Sequence, residues 1–268
     1  MSATIPACFL GLLLTSAAAS AGPWDDAAAA FERGDFPAAA QLFLPLAEQG
    51  NAAAQYNLGV MYSQGQGVPQ DYAEAAKWFR SAAARGNALA QAGLGYLYAS
   101  GQGVPMDYDE AAKWYRLAAE QGYSAGQAGL GDLYANGQGV PRDYGEAAKW
   151  YRLAAAQGYG LAQARLGSLY ASGQGVLPDY AEAVTWYRQA AERGYGGGMA
   201  GLGSLYAIGK GLPKDDVLAY MWLDLGAAAG EPDALRKRNV LAVHMTHDEI
   251  AEAQKRSHEW RPSSPGAN

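Results

Sequence analysis

Three histidines, His244, His247 and His258, stand together near the C-terminal end of this 268-residue chain, and two imidazoles a few residues apart are a common start of a metal site. His244-Met-Thr-His247 does not support that reading. A helix boundary is expected between the two rings, so they cannot be placed on one helical face, and no HExxH occurs in the chain. The serines come without S-x-x-K or G-x-S-x-G, the base or elbow that acyl transfer requires. Gly-x-Gly segments such as Gly65-Gln66-Gly67 lack the preceding strand and the third glycine of a dinucleotide loop, so they are read as turns. Carboxylate pairs such as Asp71 and Glu74 have a structural use at a helix start. No catalytic residue, metal ligand or cofactor is predicted.

The residues that do recur have a fixed spacing. The stretch Leu58–Gly86, LGVMYSQGQGVPQDYAEAAKWFRSAAARG, returns from Leu94 and Leu130 with few changes, and looser copies start at Leu166 and Leu202. Trp78, Trp114, Trp150, Trp186 and Trp222 stand 36 residues apart, as do Gly59, Gly95, Gly131, Gly167 and Gly203. Tyr62, Tyr98, Tyr134, Tyr170 and Tyr206 keep the same interval. A strict period in this range predicts a solenoid, in which each unit buries its apolar face only against its neighbours.

Each unit reads as two helices. Leu58, Met61 and Tyr62 fall at i, i+3 and i+4 of a first helix over Ala52–Gln64. Gly65-Gln66-Gly67-Val68-Pro69 then turns the chain, because the glycines open backbone angles closed to other residues and Pro69 has no amide proton. Asp71 is the expected N-cap of a second helix, with Glu74 completing a reciprocal box; Asp107/Glu110, Asp143/Glu146 and Asp179/Glu182 repeat it. Ala75, Trp78, Phe79 and Ala82 share the inward face, and Gly86 supplies a left-handed C-cap. The glycine inside the first helix is disfavoured there, so Gly59 is expected to admit a neighbouring helix and its tryptophan ring. The leucine, glycine, tyrosine and tryptophan series are accordingly read as core.

The pattern LGxxYxxGxGVxxDxxxAxxWYRxAAxxG resembles the Sel1-like repeat, a relative of the tetratricopeptide repeat, over about residues 51–230. The resemblance implies an all-α, right-handed α-solenoid of stacked helix-turn-helix units. The fifth copy departs from the pattern at Leu212, Asp216 and Leu218, as expected near the end of a stack. Residues 22–50 read as capping helices, an incomplete repeat in which Pro45 should kink or break the second helix. Residues 231–260 read as C-terminal capping helices, with Arg236, Lys237 and Arg238 facing water and Thr246/Glu249 forming a capping box. Residues 261–268 are expected to form a flexible tail, and residues 1–21 an export signal ending in Ala19-Ser20-Ala21.

Positions that vary between copies mark the candidate binding surface. Val60 is matched by Tyr96, Asp132, Ser168 and Ser204, and Asn57 by glycine except at Arg165. In tetratricopeptide-like stacks the first helices line the concave face, and the resemblance implies that these side chains meet a protein or peptide there. Relatives assemble envelope complexes, regulate signalling or mediate contact with a host, which implies a non-catalytic adaptor. The alternative implied by cysteine-rich relatives is cell-wall or β-lactam binding or hydrolysis. Those repeats are stapled by disulfides, whereas Cys8, the only cysteine here, lies in the expected signal segment. The formal charge of −6 argues against a nucleic-acid footprint. No apolar run after Gly22 approaches the roughly 20 residues of a membrane span. A monomer in the periplasm, or secreted, is expected.

Overall fold

The computed structural model describes residues 22–262, and these form fourteen α-helices with no strand among the described residues. The expected export signal, residues 1–21, and residues 263–268 of the expected tail lie outside the described residues. The helices fall into two compact units that divide between Arg142 and Asp143.

The first unit holds α1 (Pro23–Glu32), α2 (Phe36–Glu48), α3 (Ala52–Gln64), α4 (Tyr72–Ala83), α5 (Ala88–Ser100), α6 (Tyr108–Glu120) and α7 (Ser124–Asn136). The second holds α8 (Tyr144–Ala156), α9 (Gly160–Ser172), α10 (Tyr180–Glu192), α11 (Gly196–Ile208), α12 (Asp216–Ala228), α13 (Pro232–Ala242) and α14 (His247–Glu259). Within each unit successive helices pack on one another as far as α13, α14 packs on α12, and alternate first helices also touch: α3 on α5, α5 on α7, α9 on α11 and α11 on α13.

The turn between the helices of a repeat is dictated by two glycines. Gly65 ends α3 in the left-handed conformation. Gly67 has φ +72°, and a Cβ there would lie 2.3 Å from the backbone carbonyl of Phe36, so the turn rests directly on the start of the preceding second helix. Asp71 then caps α4, its carboxylate accepting from the amides of Ala73 (2.8 Å) and Glu74 (3.0 Å). The expected reciprocal half does not form. Glu74 instead pairs with Lys77 one turn on, and Glu110 with Lys113 and Glu146 with Lys149 do the same.

The small residue inside the first helix does admit a neighbour, but the ring is not tryptophan. A Cβ on Gly59 would lie 2.5 Å from the Phe79 ring, and one on Gly95 or Gly167 would lie 2.8 Å from Tyr115 or Tyr187, each the residue after the tryptophan. The same rings press on the next repeat. Phe79 reaches Gly93, Tyr115 reaches Gly129 and Tyr187 reaches Gly201. Each aromatic side chain is thus clasped between two glycines 34 residues apart. Phe79 and Tyr151 are fully buried, and Leu58, Leu94, Leu130, Leu166 and Leu202 lie in the interior. The five tryptophans of the 36-residue series are only half-buried, as are Tyr62, Tyr98, Tyr134, Tyr170 and Tyr206. Three of these tyrosines take a hydrogen bond from the preceding repeat, from Arg80 to Tyr98 (3.1 Å), Arg116 to Tyr134 (3.3 Å) and Arg152 to Tyr170 (3.2 Å).

A second link recurs inside the stack. Gln55, Gln91, Gln127 and Gln163 occupy the fourth position of their helices, are buried, and donate to the carbonyls of Ala47, Ala83, Ala119 and Ala155 at 2.9–3.4 Å. These carbonyls, at the end of the preceding second helix, each accept also from the amide of the glycine three residues on, at 2.9–3.0 Å, so the glutamine takes the second lone pair. Without an acceptor there, a buried amide would cost about 1–3 kcal/mol.

At the N-terminal end α1 begins at Pro23, with Asp25 inside its first turn accepting from the Gly22 amide at 3.0 Å. α2 runs through Pro45 without a break. At the other end Thr246 and Glu249 form both halves of the capping box. Arg238 does not face water as expected: it reaches Asp224 at 2.5 Å, and the other oxygen of that carboxylate accepts from Ser257 at 2.9 Å, tying α12, α13 and α14 together. Trp222 and Trp260 close the same corner, ring centroids 5.5 Å apart.

Candidate partner-binding site

The sixth and ninth residues of the first helices are equivalent positions, and within each unit they form two rows. The sixth positions are Asn57, Gly93, Gly129, Arg165, Gly201 and Lys237; the ninth are Val60, Tyr96, Asp132, Ser168, Ser204 and Val240. Their environments differ along the chain.

In the first unit the rows are largely closed. Asn57 is 8% exposed and Val60 6%, so neither presents a side chain to a partner, contrary to the expectation for these two residues. The residue before Asn57 is buried as well. Tyr56, at the fifth position, is 3% exposed and packs on Phe79 with centroids 5.9 Å apart. Every later copy has alanine there: Ala92, Ala128, Ala164 and Ala200. Tyr96 and Asp132 are half-buried. Burial, and then the neighbouring Tyr72, raises the Tyr96 hydroxyl above the usual phenol range. Asp132 and Tyr96 both act on the buried Tyr115 hydroxyl, which burial pushes up further than they do.

In the second unit the rows open onto a cavity of about 540 Å³ between α9, α10, α11 and α13. Arg165, Ser168 and Ser204 line it together, with Ala164 and Ala200 at the alanine positions. Arg165 and Ser168 are exposed and Ser204 is half-buried. Tyr187 forms part of the floor; burial raises its hydroxyl, and a hydrogen bond with Ser168 opposes that rise. Lys237, beyond the fifth repeat, also lines the cavity and donates from Nζ to Ser204 Oγ at 3.1 Å. Tyr180 stands at the edge, accepting from Lys210 at 2.9 Å.

The structure therefore brings together Arg165, Ser168 and Ser204 of the expected set and adds Lys237, which lies 36 residues after Gly201 in a helix that does not carry the repeat motif. Its place in the row was countable from the period alone. Among the described residues no group of three or more His, Cys, Asp or Glu is arranged to hold a metal ion, and no helix is long and apolar enough to cross a membrane. The His244–His247 pair is split by the end of α13 and the start of α14.

Repeated helical hairpins and an interior shared between neighbours define an all-α repeat protein. The family model for the Sel1 repeat matches residues 52–87, 88–123, 124–159, 160–195 and 197–231, and the chain belongs to the Sel1 repeat family. Its fold is an all-α solenoid. Proteins of this family are in general non-catalytic scaffolds that mediate protein–protein interaction.

Among solved structures, a protective antigen present in uropathogenic Escherichia coli strains and displaying an SLR fold is 35% identical, with a TM-score of 0.72 over 90% of this chain and 54% of that one. The chain thus spans about half the length of that protein. A Sel1 repeat protein from Oxalobacter formigenes is 30% identical, with a TM-score of 0.76 over 89% of this chain and 96% of its own. A third, described as a putative sel1 repeat protein, from Klebsiella pneumoniae subsp. pneumoniae, shares the fold at 24% identity and a TM-score of 0.53, over 76% of this chain and 99% of that one. Comparison with curated proteins finds no match.

Proposed function

We propose that this protein is a non-catalytic adaptor that captures an extended segment of another protein along the face formed by its first helices, the inner face of tetratricopeptide-like stacks. The observation that carries this reading is the cavity of about 540 Å³, whose lining includes the variable first-helix positions Arg165, Ser168 and Ser204. A surface used for recognition has to differ between copies, whereas packing has to repeat. Replacing Tyr96 and Arg165 together with alanine should remove the partner from crosslinked complexes recovered from the producing cell, at an unchanged melting temperature. An unchanged set of crosslinked proteins would end the proposal.

The adaptor is placed in the cell envelope or outside the cell, on the ground of the apolar run Cys8–Leu14 followed by Ala19-Ser20-Ala21. Intact-mass measurement should find the recovered protein starting at Gly22. A chain that keeps Met1 through Ala21 would remove the export reading and leave the adaptor reading standing. A monomer is the expected state, since both ends of the repeat array carry atypical helices with polar outer residues; sedimentation equilibrium tests this directly.

A further inference from the structure

We propose that the cavity of the second unit receives a tyrosine side chain from the extended partner segment, its ring lying on Tyr187 and its hydroxyl donating to Glu231. This rests on the partner-binding reading above and gives that partner a chemistry. The first unit supplies the pattern. Tyr56, at the fifth position of α3, lies on the Phe79 ring of α4 with centroids 5.9 Å apart and planes inclined by 33°. Its hydroxyl is raised by burial and then by Tyr123, the residue just before α7.

A step of 108 residues, three periods, carries Tyr56, Phe79 and Tyr123 onto Ala164, Tyr187 and Glu231. All three line the cavity. The lower ring of the pair is kept, the upper one is replaced by a methyl group, and the position of Tyr123 carries a carboxylate. Exposure follows the same contrast, since Phe79 beneath Tyr56 is 1% exposed and Tyr187 is 8%. Alanine at the fifth position is not enough by itself to leave room: Ala92 and Ala128 in the first unit are 0% and 1% exposed, whereas Ala164 and Ala200, at the cavity, keep 7% and 6%.

The surroundings favour a phenol over a purely apolar ring. Tyr187 is clasped between Gly167 and Gly201, where an added Cβ would lie 2.8 and 2.4 Å from it, so the lower face of an aromatic pair is in place before a partner arrives. Glu231 stands at the N-cap of α13, is half-buried and makes no side-chain cap there. Among the described residues its carboxylate has no hydrogen-bond donor and no ion-pair partner. The other charged groups on that side of the cavity are engaged: Lys237 Nζ donates to Ser204 at 3.1 Å, and Asp233 pairs with Arg236 at 3.2 Å. A phenol hydroxyl supplies the donor that Glu231 lacks, in a charge-assisted bond.

The test is a library of extended heptapeptides, blocked at both ends and panned against the full chain. Enrichment of tyrosine at one position is expected, and exchanging it for phenylalanine in the selected peptide should weaken binding about tenfold. Glu231→Ala should abolish that preference, so that the two peptides bind alike. Ala164→Tyr, which rebuilds the ring pair of the first repeat, should weaken the selected peptide about tenfold or more, at a melting temperature held or raised. If Ala164→Tyr lowers the melting temperature instead, the Glu231→Ala comparison decides, because it inserts no ring into the fold. Selected peptides without an aromatic residue, or a tyrosine peptide whose affinity neither variant moves, overturn the subsite and leave peptide capture standing. Equal binding of the tyrosine and phenylalanine peptides to the unaltered chain overturns the contact with Glu231. Failure to enrich any peptide overturns both the subsite and the capture reading.

Discussion

The first and fourth repeats place the same two helical positions in opposite surroundings. Asn57 and Val60 are sealed inside the first unit, whereas Arg165 and Ser168, their counterparts 108 residues later, are exposed at a cavity in the second. The helices have the same length and the same kinds of neighbour, so the backbone does not make the difference. The two repeats also differ at the residue just before: Tyr56, buried against Phe79, stands where the fourth repeat has Ala164, which lines the cavity. In a stack built from one template, a site is created by omitting a large side chain at one position as much as by adding polar groups at the next. Variation between copies therefore marks two things at once, a binding surface and the packing that closes it elsewhere.

The largest expected effect comes from removing that plug. Tyr56→Ala should cost about 3–5 kcal/mol, the range for deleting a buried aromatic side chain, measured by denaturant unfolding. A loss below about 1 kcal/mol would mean that Tyr56 does not close the row. Exchanging the next residue sharpens the contrast. Asn57→Arg buries a charge where the asparagine is 8% exposed and should destabilise by several kcal/mol, while Arg165→Asn, on an exposed side chain, should stay within about 0.5 kcal/mol. Similar costs at the two sites would refute the distinction between a sealed and an open row.

Alkaline pH probes the packing of the first unit. Burial holds the hydroxyls of Tyr56 and Tyr115 far above the phenol value of 10.0, assisted by Tyr123 in the first case and by Asp132 and Tyr96 in the second. In the unfolded chain these groups ionise near pH 10, while in the folded chain they remain protonated. Their contribution is thus fully present below about pH 10 and falls above it, by about 1.4 kcal/mol per pH unit for each tyrosine. Unfolding midpoints should be flat from about pH 8 to 9.5 and drop steeply by about pH 11. A Tyr56→Phe, Tyr115→Phe double variant should flatten that drop, and a drop that persists unchanged would place its origin elsewhere.

Much of the scaffold was legible because local chemistry repeats with it. Asp71, Gly65 and Gly67 each force a cap or a turn from their own residue type, so the bounds Ala52–Gln64 of the first helix could be written down from the sequence. What was not legible depends on atoms from another repeat. Gln55 reads as a polar surface residue until the carbonyl of Ala47 is seen above it, and only its recurrence at 91, 127 and 163 hints otherwise. The ring clasped by glycine was expected to be Trp78, because tryptophan is the larger and more constant residue. The structure uses Phe79, one position on, and leaves the tryptophan half-buried. One residue rotates a side chain by about 100° around a helix, and the apolar stripe is wide enough to contain both. Of the candidate site, Arg165, Ser168 and Ser204 were found by their variability. Lys237 was hidden by the loss of motif residues around it, although its position in the period was intact.

The smallest expected effect lies at the cavity floor. Phe79 and Tyr187 occupy the same place in their repeats, and each is clasped by two glycines. Their residues at the ninth position differ in a matching way: apolar Val60 belongs to the repeat of Phe79, which has no hydroxyl, and Ser168 to that of Tyr187, which has one. Tyr187→Phe keeps the ring and removes only the partner of Ser168. Because Ser168 is exposed and can turn to water, the loss should be about 0.5–1 kcal/mol, a shift of a few degrees or less in melting temperature. Adding Ser168→Val, which rebuilds the pairing of the first repeat, should add little further loss, since both ends of the hydrogen bond are then gone. A double-mutant cycle measures that coupling. A coupling energy near zero would mean that hydroxyl and serine act independently, and the floor of the cavity would then be set by ring packing alone.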